Sequence, residues 1–508
     1  MKKRNLFILP LMMVGMLAAV SCGGGDDAGE VTPYTPDEGD DPYIGDDPLK
    51  GKNVTIRFDS QWGGNMQALF NSWAREFGQL HPGVTVEVNK ISGDYSDVSK
   101  QEVSDIQVGA NGWGDIVSCY PDHCVRYSEL GVAVDLNQFI YSEDEAVAYQ
   151  QSLLKDLTPA AKSYMDINYP RTGMFCAPFA VSTEYMVYNA ELLEWTIEGV
   201  NGGKRITEEY LNSLTWDEFF NVFCPAFMIE NAKKPDNEKL LLSNNGDNYA
   251  ILGYDDDANA FITLLEQKGT PFTHVDDDGY ATLTYNTSEA KQLTKDWNLY
   301  RNRHYVITEG SNTNSKPSAL LADKKVLFAI ASTGGVSYLA YSLEASPFSL
   351  DVNCTLVPHA EGHEPKMVLQ GGSLAILAHQ SDPQDADRQL AAWMFYKYIT
   401  QKSNCLRWAA QTGYVPIKKS CYYSSIWQEL IKTDGKEGID YLSAISTYYV
   451  QLNNAYTFQT DVFKGSQVAR TQVDGLFSEI LNATVEECTD TFIDQKFATA
   501  ISNTMKEM

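Results

Sequence analysis

Basic residues are scarce in this 508-residue chain: 39 Lys and Arg stand against 67 Asp and Glu, for a formal net charge of −28 at neutral pH. A field of that sign repels phosphate backbones and anionic headgroups, so it argues against nucleic acid as a partner. Long apolar runs are missing as well. After residue 22 no stretch approaches the roughly 20 apolar residues of a membrane-crossing helix. There is no G-x-S-x-G turn for a serine nucleophile and no H-E-x-x-H zinc motif. The nine cysteines include no C-x-x-C pair, which argues against a structural zinc site. His359, His363 and Glu364 in "HAEGHE" have ligand chemistry, but their setting reads as a solvated loop, and neither a metal nor a cofactor is expected. No internal repeat is found.

What is present begins at the amino end. Lys2, Lys3 and Arg4 precede the apolar run Leu6 to Val20, and the small or short residues Ala19, Val20 and Ser21 lead to Cys22. A charged start, a short apolar run and a small-residue cleavage site form a secretory signal, expected over residues 1–21. The cysteine at that place resembles a bacterial lipobox. The resemblance implies an acylated Cys22 that holds the chain to a membrane surface, each buried CH2 contributing about 0.8 kcal/mol. Residues 22–50 follow with nine acids against one base, interspersed with Gly and Pro. Such a segment cannot bury enough surface to offset its ordering entropy, so a disordered acidic tether reaching on the order of 30 Å is expected. In an exported protein Cys119 and Cys124, five residues apart in "CYPDHC", are candidates for a local disulfide, and the other cysteines read as buried thiols.

The remaining body is too long for a single core, so two lobes are expected. "NVTIRF" alternates as a strand, and Met66, Leu69, Phe70, Trp73 and Phe77 repeat at helical spacing. Val84, Val86 and Val88 then alternate again. Strand, helix and strand within some 40 residues predict a βαβ unit and a parallel sheet. A further helix over Val98 to Ala110 and a strand at "GDIVSCY" complete an α/β first lobe. From about residue 190 helices dominate. "TWDEFFNVF" has Thr215 as N-cap and Glu218 at the capping-box position, and "DADRQLAAWMFYKYITQ" reads as a long amphipathic helix. Short strands return at "KKVLFAIAS" and "GGSLAILA".

Seven stretches taken together, among them "FDSQWGGNMQALFNSWAREFGQLHPGVTVEV", "APFAVSTEYMVYNAELL", "KKVLFAIASTGG", "LQGGSLAILA" and "LRWAAQTGYVPIKKS", resemble in order and spacing the extracellular solute-binding proteins of ABC importers. The likeness covers about residues 53 to 480 and is nearest the group that binds sugars, oligosaccharides or glycerol phosphates. It implies an α/β, two-lobed periplasmic-binding-protein-like fold of type II. Lobe one would take 51–180 and 358–415, lobe two 181–357 and 416–508. Crossings would fall near 177–188, 357–370 and 413–420, where Pro178, Pro358 and Pro416 stand. The family implies capture of a carbohydrate by hinge closure, without catalysis, and delivery to permease subunits of the transporter.

A sugar presents C–H faces and rings of hydroxyls, so its site needs aromatic platforms and hydrogen-bonding groups at fixed spacing. Trp62, Gly64 and Asn65 fall at the carboxyl end of the first strand, where α/β sheets tend to bind ligands. Tyr95 follows the second strand, while Asp115 in "GWGDIV" reads as a structural cap. Ser182, Thr183 and Glu184 lie at the first crossing. Ser332 and Gly334 precede a helix whose free N–H groups could meet a hydroxyl. Gly371 and Gly372 permit close backbone approach, and Tyr414 in "TGYVP" brings a ring and a hydroxyl at the last crossing. A glycerol-phosphate binder would want a cleft arginine, whereas "FQTDVFKGSQ" offers only Lys464, which favours a neutral carbohydrate. A surface glycan-binding lipoprotein without a permease and a secreted glycoside hydrolase with paired carboxylates stand as alternatives.

Overall fold

The computed structural model describes residues 46–508 except 110–111, 149–153, 168–172, 244–247, 277–279, 313–314, 426 and 429–456. The signal segment, Cys22 and the tether up to residue 45 lie outside the described residues. Residues 46–50, read from sequence as the end of the tether, form a turn of the folded body. Leu49 is fully buried and the Asp47 carboxylate bonds His81 Nδ1 at 2.9 Å, an apolar anchor and a polar one that the acidic composition conceals. Among the described residues no helix is long and apolar enough to cross a membrane.

Two five-stranded sheets carry the fold. In the first, β1 (Val54–Ser60) alternates its apolar residues inward, and α1 (Gly64–Leu80) covers it with Leu69, Phe70, Trp73 and Phe77. β2 (Val84–Lys90) pairs parallel with β1, Val54 opposite Val84. An Asp94–Asp97 capping box opens α2 (Tyr95–Gln107), and β3 (Ile116–Cys119) joins the other side of β1. α3 (Pro121–Glu129) follows, and β4 (Ala177–Ser182) is the far edge of the sheet. One residue later the chain is in the second sheet, at β5 (Glu184–Asn189).

There β6 (Ala250–Tyr254), β7 (Val306–Thr308) and β8 (Val326–Ser332) run parallel, while β5 lies antiparallel between β8 and β9 (Val352–Thr355). The chain then returns, and β10 (Gln370–Ile376) inserts antiparallel between β3 and β4. Every residue of β4, β5 and β6 is buried, as expected of strands covered on both faces. Pro178 is tolerated inside β4 because β10 shifts register there, between Gly372 and Ser373.

The helices α4 (Asp257–Gln267), α5 (Ser288–Asn302), α9 (Ser466–Asn482) and α10 (Asp490–Thr504) pack together on the second sheet through Phe261, Trp297, Phe477 and Phe497. α6 (Val336–Glu344) follows β8, and α7 (Asp385–Ile399) and α8 (Lys402–Thr412) back the first sheet. α7 departs from its amphipathic reading: Ala391 to Ile399 are buried on all sides. Lys397 is admitted because its ammonium donates to the carbonyls of Ala146 and Ala148 at 2.8 and 3.1 Å. Residues 416–422, expected to belong to lobe two, stay with the first sheet, as does Val415 before them. Val415 N–H donates to Val181, Ser420 bonds Asp156, and Ile417 and Tyr422 are buried there.

Asp115 has the structural role expected of it. One carboxylate oxygen accepts from Arg57 N–H at 2.7 Å, and Arg388 on α7 adds two parallel bonds at 2.8 Å. This locks β1, β3 and α7 together. Replacing Asp115 by Ala leaves the Arg57 N–H without its partner and the mostly buried Arg388 guanidinium with only the longer contacts to Asp382 at 3.6 Å and His379 at 3.4 Å, at a cost of about 3 kcal/mol. Chemical denaturation should show the midpoint falling accordingly; a loss under about 1 kcal/mol would remove the pair from the fold's supports.

Candidate functional site

The first crossing is a single residue. Thr183 N–H faces Thr333 Oγ1 at 3.4 Å, its carbonyl accepts from Thr333 N–H at 2.9 Å, and its hydroxyl donates to the Val368 carbonyl at 2.9 Å. All three polar groups are thus used inside the protein, on the turn after β8 and on the strand that returns to β10. Ser182 is buried in the ladder opposite Gln370, and Ser332 caps the turn by accepting from Gly334 N–H at 3.2 Å.

Around this knot an aromatic wall is assembled from distant segments. Trp62, just after β1, is 4% exposed, stacked on Phe70 with centroids 5.4 Å apart and edge-on to Tyr95 at 5.9 Å. Tyr95, the first residue of α2, stacks on Tyr120 at 4.4 Å. Tyr414 stacks on Trp408 at 5.5 Å, and its hydroxyl lies close to Tyr95 and the Trp62 indole. Burial pushes the Tyr95 and Tyr414 hydroxyls up from their ordinary range, so both are protonated donors at any physiological pH.

The glycines make room for these rings. A Cβ on Gly334 would lie 2.8 Å from the Tyr414 ring, and one on Gly372 would lie 2.4 Å from the Tyr95 ring. Gly371 has a different duty: at φ +98°, a side chain there would strike the Ala180 carbonyl in the neighbouring strand.

The opposing wall comes from the second lobe. Glu184 is buried and accepts from the Tyr254 hydroxyl at 2.5 Å; burial raises its carboxyl to about 8 despite that bond. Arg470 on α9 bonds Asn259 and stands 3.9 Å from Asp256. Between the walls lies a cavity of about 70 Å3, lined by Tyr120, Tyr164 and Gly371 on one side and Phe272, Asp461 and Arg470 on the other. Gln467 on α9 donates to Ser96 on α2 at 2.5 Å, a polar contact between the lobes.

The structure thus brings Trp62, Tyr95, Gly334, Gly372 and Tyr414 into one cluster, with Ser182, Thr183, Glu184, Ser332 and Gly371 behind or beside it. Of the expected residues only Gly371 lines the cavity itself, and Gly64 and Asn65 are exposed at the start of α1, outside the cluster. Tyr120 and Arg470 are additions that sequence reasoning missed. Arg470 lies three residues beyond "FQTDVFKGSQ", one turn into the helix that begins at Ser466, so the cation sought at Lys464 was within reach of the helical period.

Two lobes joined by single-residue and short crossings, with aromatic rings facing a polar wall, define a binding protein of the two-lobed α/β class. The chain matches the model of the bacterial extracellular solute-binding protein family over residues 72–433, and it belongs to that family. It is therefore an exported protein. A search of the curated proteins finds no match. Among solved structures it is similar to UgpB from Mycobacterium tuberculosis in complex with glycerophosphocholine, at 16% identity and TM-score 0.63 over 89% of this chain and 98% of that one. It is also similar to the cyclic alpha-maltosyl-1,6-maltose binding protein from Arthrobacter globiformis, at 16% identity and TM-score 0.60 over 89% and 99%. A third is the maltose/maltodextrin-binding domain MalE from Bdellovibrio bacteriovorus bound to maltotriose, at 14% and 0.60 over 89% and 100%. Likeness at such identities shows the shared fold.

Glu184 gives the site a pH signature. Its folded-state value of about 8 lies above the ordinary 4.5, so the stability it contributes is complete below about pH 4.5 and is lost as pH rises to about 8. Glu184→Gln should remove that slope, and the variant's thermal midpoint should gain on the parent's steadily from pH 5 to 8. Parallel curves would mean that Glu184 is already ionised in the folded protein.

Proposed function

We propose that this protein captures a neutral carbohydrate, a mono- or oligosaccharide, by closing its two lobes on it, and passes it unaltered to the permease subunits of an ABC importer. The observation that carries this reading is the cluster of Trp62, Tyr95, Tyr120 and Tyr414, whose Tyr120 lines the cavity between the lobes together with the polar groups of Gln370, Asp461 and Arg470. Stacking rings suit the C–H faces of a sugar, and fixed donors and acceptors suit its hydroxyls. Family membership supports the transport role, and the sugars named for two of the similar structures support the ligand class.

A glycerol-phosphate ligand is the second reading, favoured by Arg470 and by the glycerophosphocholine complex among the similar structures. Against it, the guanidinium already faces Asn259 and Asp256, and Asp122 and Asp461 line the same cavity. An anionic guest would meet more like charge than opposite. In the same reading the acylated Cys22 holds the chain to the membrane, where captured solute stays near the transporter. Labelling with a radioactive fatty acid should mark the parent chain and leave Cys22→Ala unmarked and released from membranes; an unmarked parent removes the anchor.

A thermal-shift screen of the full chain against mono-, di- and oligosaccharides and glycerol phosphates tests the ligand class. A ligand at one hundred times its dissociation constant adds about 2.7 kcal/mol of stability. Tyr414→Ala should weaken binding of the responding sugar about tenfold, a change of about 1.4 kcal/mol. A response to phosphodiesters alone would overturn the carbohydrate reading, and hydrolysis of the bound sugar would overturn binding without conversion.

A further inference from the structure

Three cysteines that the cleft does not use meet in the core of the first lobe. Cys119 ends β3, Cys124 lies in α3 and Cys176 immediately precedes β4, and all three are buried. Cys124 is the centre of the group. Its Sγ is 3.5 Å from that of Cys119 and 2.6 Å from that of Cys176, and the three sulfurs lie within 4.8 Å of one another. The short spacing in "CYPDHC" points to a Cys119–Cys124 pair, whereas the fold brings the nearer sulfur from 52 residues away.

From this arrangement we infer that Cys124 and Cys176 are joined by a disulfide in the exported protein, with Cys119 remaining a thiol. Two thiols held 2.6 Å apart in an apolar setting, walled by Val98, Tyr127 and Phe175, need only lose their hydrogens and close slightly to reach the bond length of about 2.05 Å. A metal fits the trio less well. Thiolates on one tetrahedral zinc, each about 2.3 Å from it, stand roughly 3.8 Å apart, well beyond the Cys124–Cys176 separation. An extracellular family also places the chain where disulfides persist.

The bond needs a two-electron acceptor, here a disulfide-bearing oxidoreductase encountered during folding. One cysteine thiolate attacks that disulfide and forms a mixed disulfide, releasing one acceptor thiol. The second cysteine then displaces the other acceptor thiol as the protein disulfide closes, two protons having left the two cysteines and been taken up by the acceptor's sulfurs. The position of the link gives it consequence for the cleft. α3 begins at Pro121, beside the cavity-lining Tyr120, and β4 ends at Ser182, next to the crossing residue Thr183. The disulfide fastens the helix that lines the cleft to the strand that leads out of the lobe.

Peptide mapping of the full chain, secreted into an oxidising compartment, denatured and alkylated without reductant, reads this directly. The expected result is a Cys124 peptide linked to a Cys176 peptide, with Cys119 alkylated. Reductant should lower the parent's thermal midpoint by several degrees, leave that of Cys176→Ser unchanged, and act on Cys119→Ser as on the parent. Alkylation of both Cys124 and Cys176, a Cys119–Cys124 link, or stoichiometric release of zinc on thiol modification would each overturn the inference. The map of the parent decides the matter even if Cys176→Ser fails to fold.

Discussion

A chain that leaves one buried sheet and enters another within a single residue has to satisfy every polar group it carries without help from water. Thr183 does so with partners from two other segments, the Thr333 turn and the Val368 carbonyl. The two sheets are therefore knotted together at one place, where strands from three parts of the chain share hydrogen bonds. Translation of one sheet past the other would break all of them. Parting the facing walls would separate Gln467 from Ser96 and Tyr120 from Arg470. The polar side chain at the crossing is consumed in joining the two sheets.

Ring and glycine positions near the knot are matched in pairs. Tyr414 occupies the space that a side chain at Gly334 would fill, and Tyr95 occupies that of Gly372. Gly413, just before Tyr414, is left-handed at φ +79°, and a Cβ there would lie 2.3 Å from the Thr333 carbonyl. The turn that ends α8 is thereby pressed against the turn that follows β8, one from each lobe. Small residues at these points are a requirement of close approach between lobes, with the aromatic rings as the objects approached.

Much of the architecture was legible because it is local. Alternation in "NVTIRF" and the three-and-four spacing of Leu69, Phe70, Trp73 and Phe77 are properties of a few adjacent residues, and the first βαβ unit follows from them. Thr215 caps its helix by accepting from Glu218 N–H, as the short motif indicates. What was not legible depends on contacts hundreds of residues apart. Nothing near Tyr120 announces that it will lie under Tyr95 or face Arg470. Leu49 is a lone apolar residue in an acidic stretch, and only the pocket it fills reveals its role. Asn65 is the opposite case: the carboxyl end of a strand is a good general place to look, but Asn65 is exposed in the first turn of α1 and lines no part of the cavity.

The acidity of the chain reaches the cleft only in part, through Asp122 and Asp461. Glu184 is held protonated near neutrality by burial, the tyrosine hydroxyls are far from ionising, and Arg470 is balanced by Asp256. In so dry a setting a charged guest would need its own fixed partner to offset the loss of hydration, while a neutral one needs only hydrogen bonds and contact area. Yet a cavity of about 70 Å3 is far below the roughly 300 Å3 of an ordinary small-molecule site. Any guest of sugar size has to part the walls, breaking contacts such as Gln467 with Ser96 and the close approach of Gly334 to Tyr414. Its affinity is then the surplus of its own stacking and hydrogen bonds over the inter-lobe contacts it replaces. A ligand shifts a conformational balance only by such a difference, so the contacts that close the cleft also set the threshold a guest must exceed.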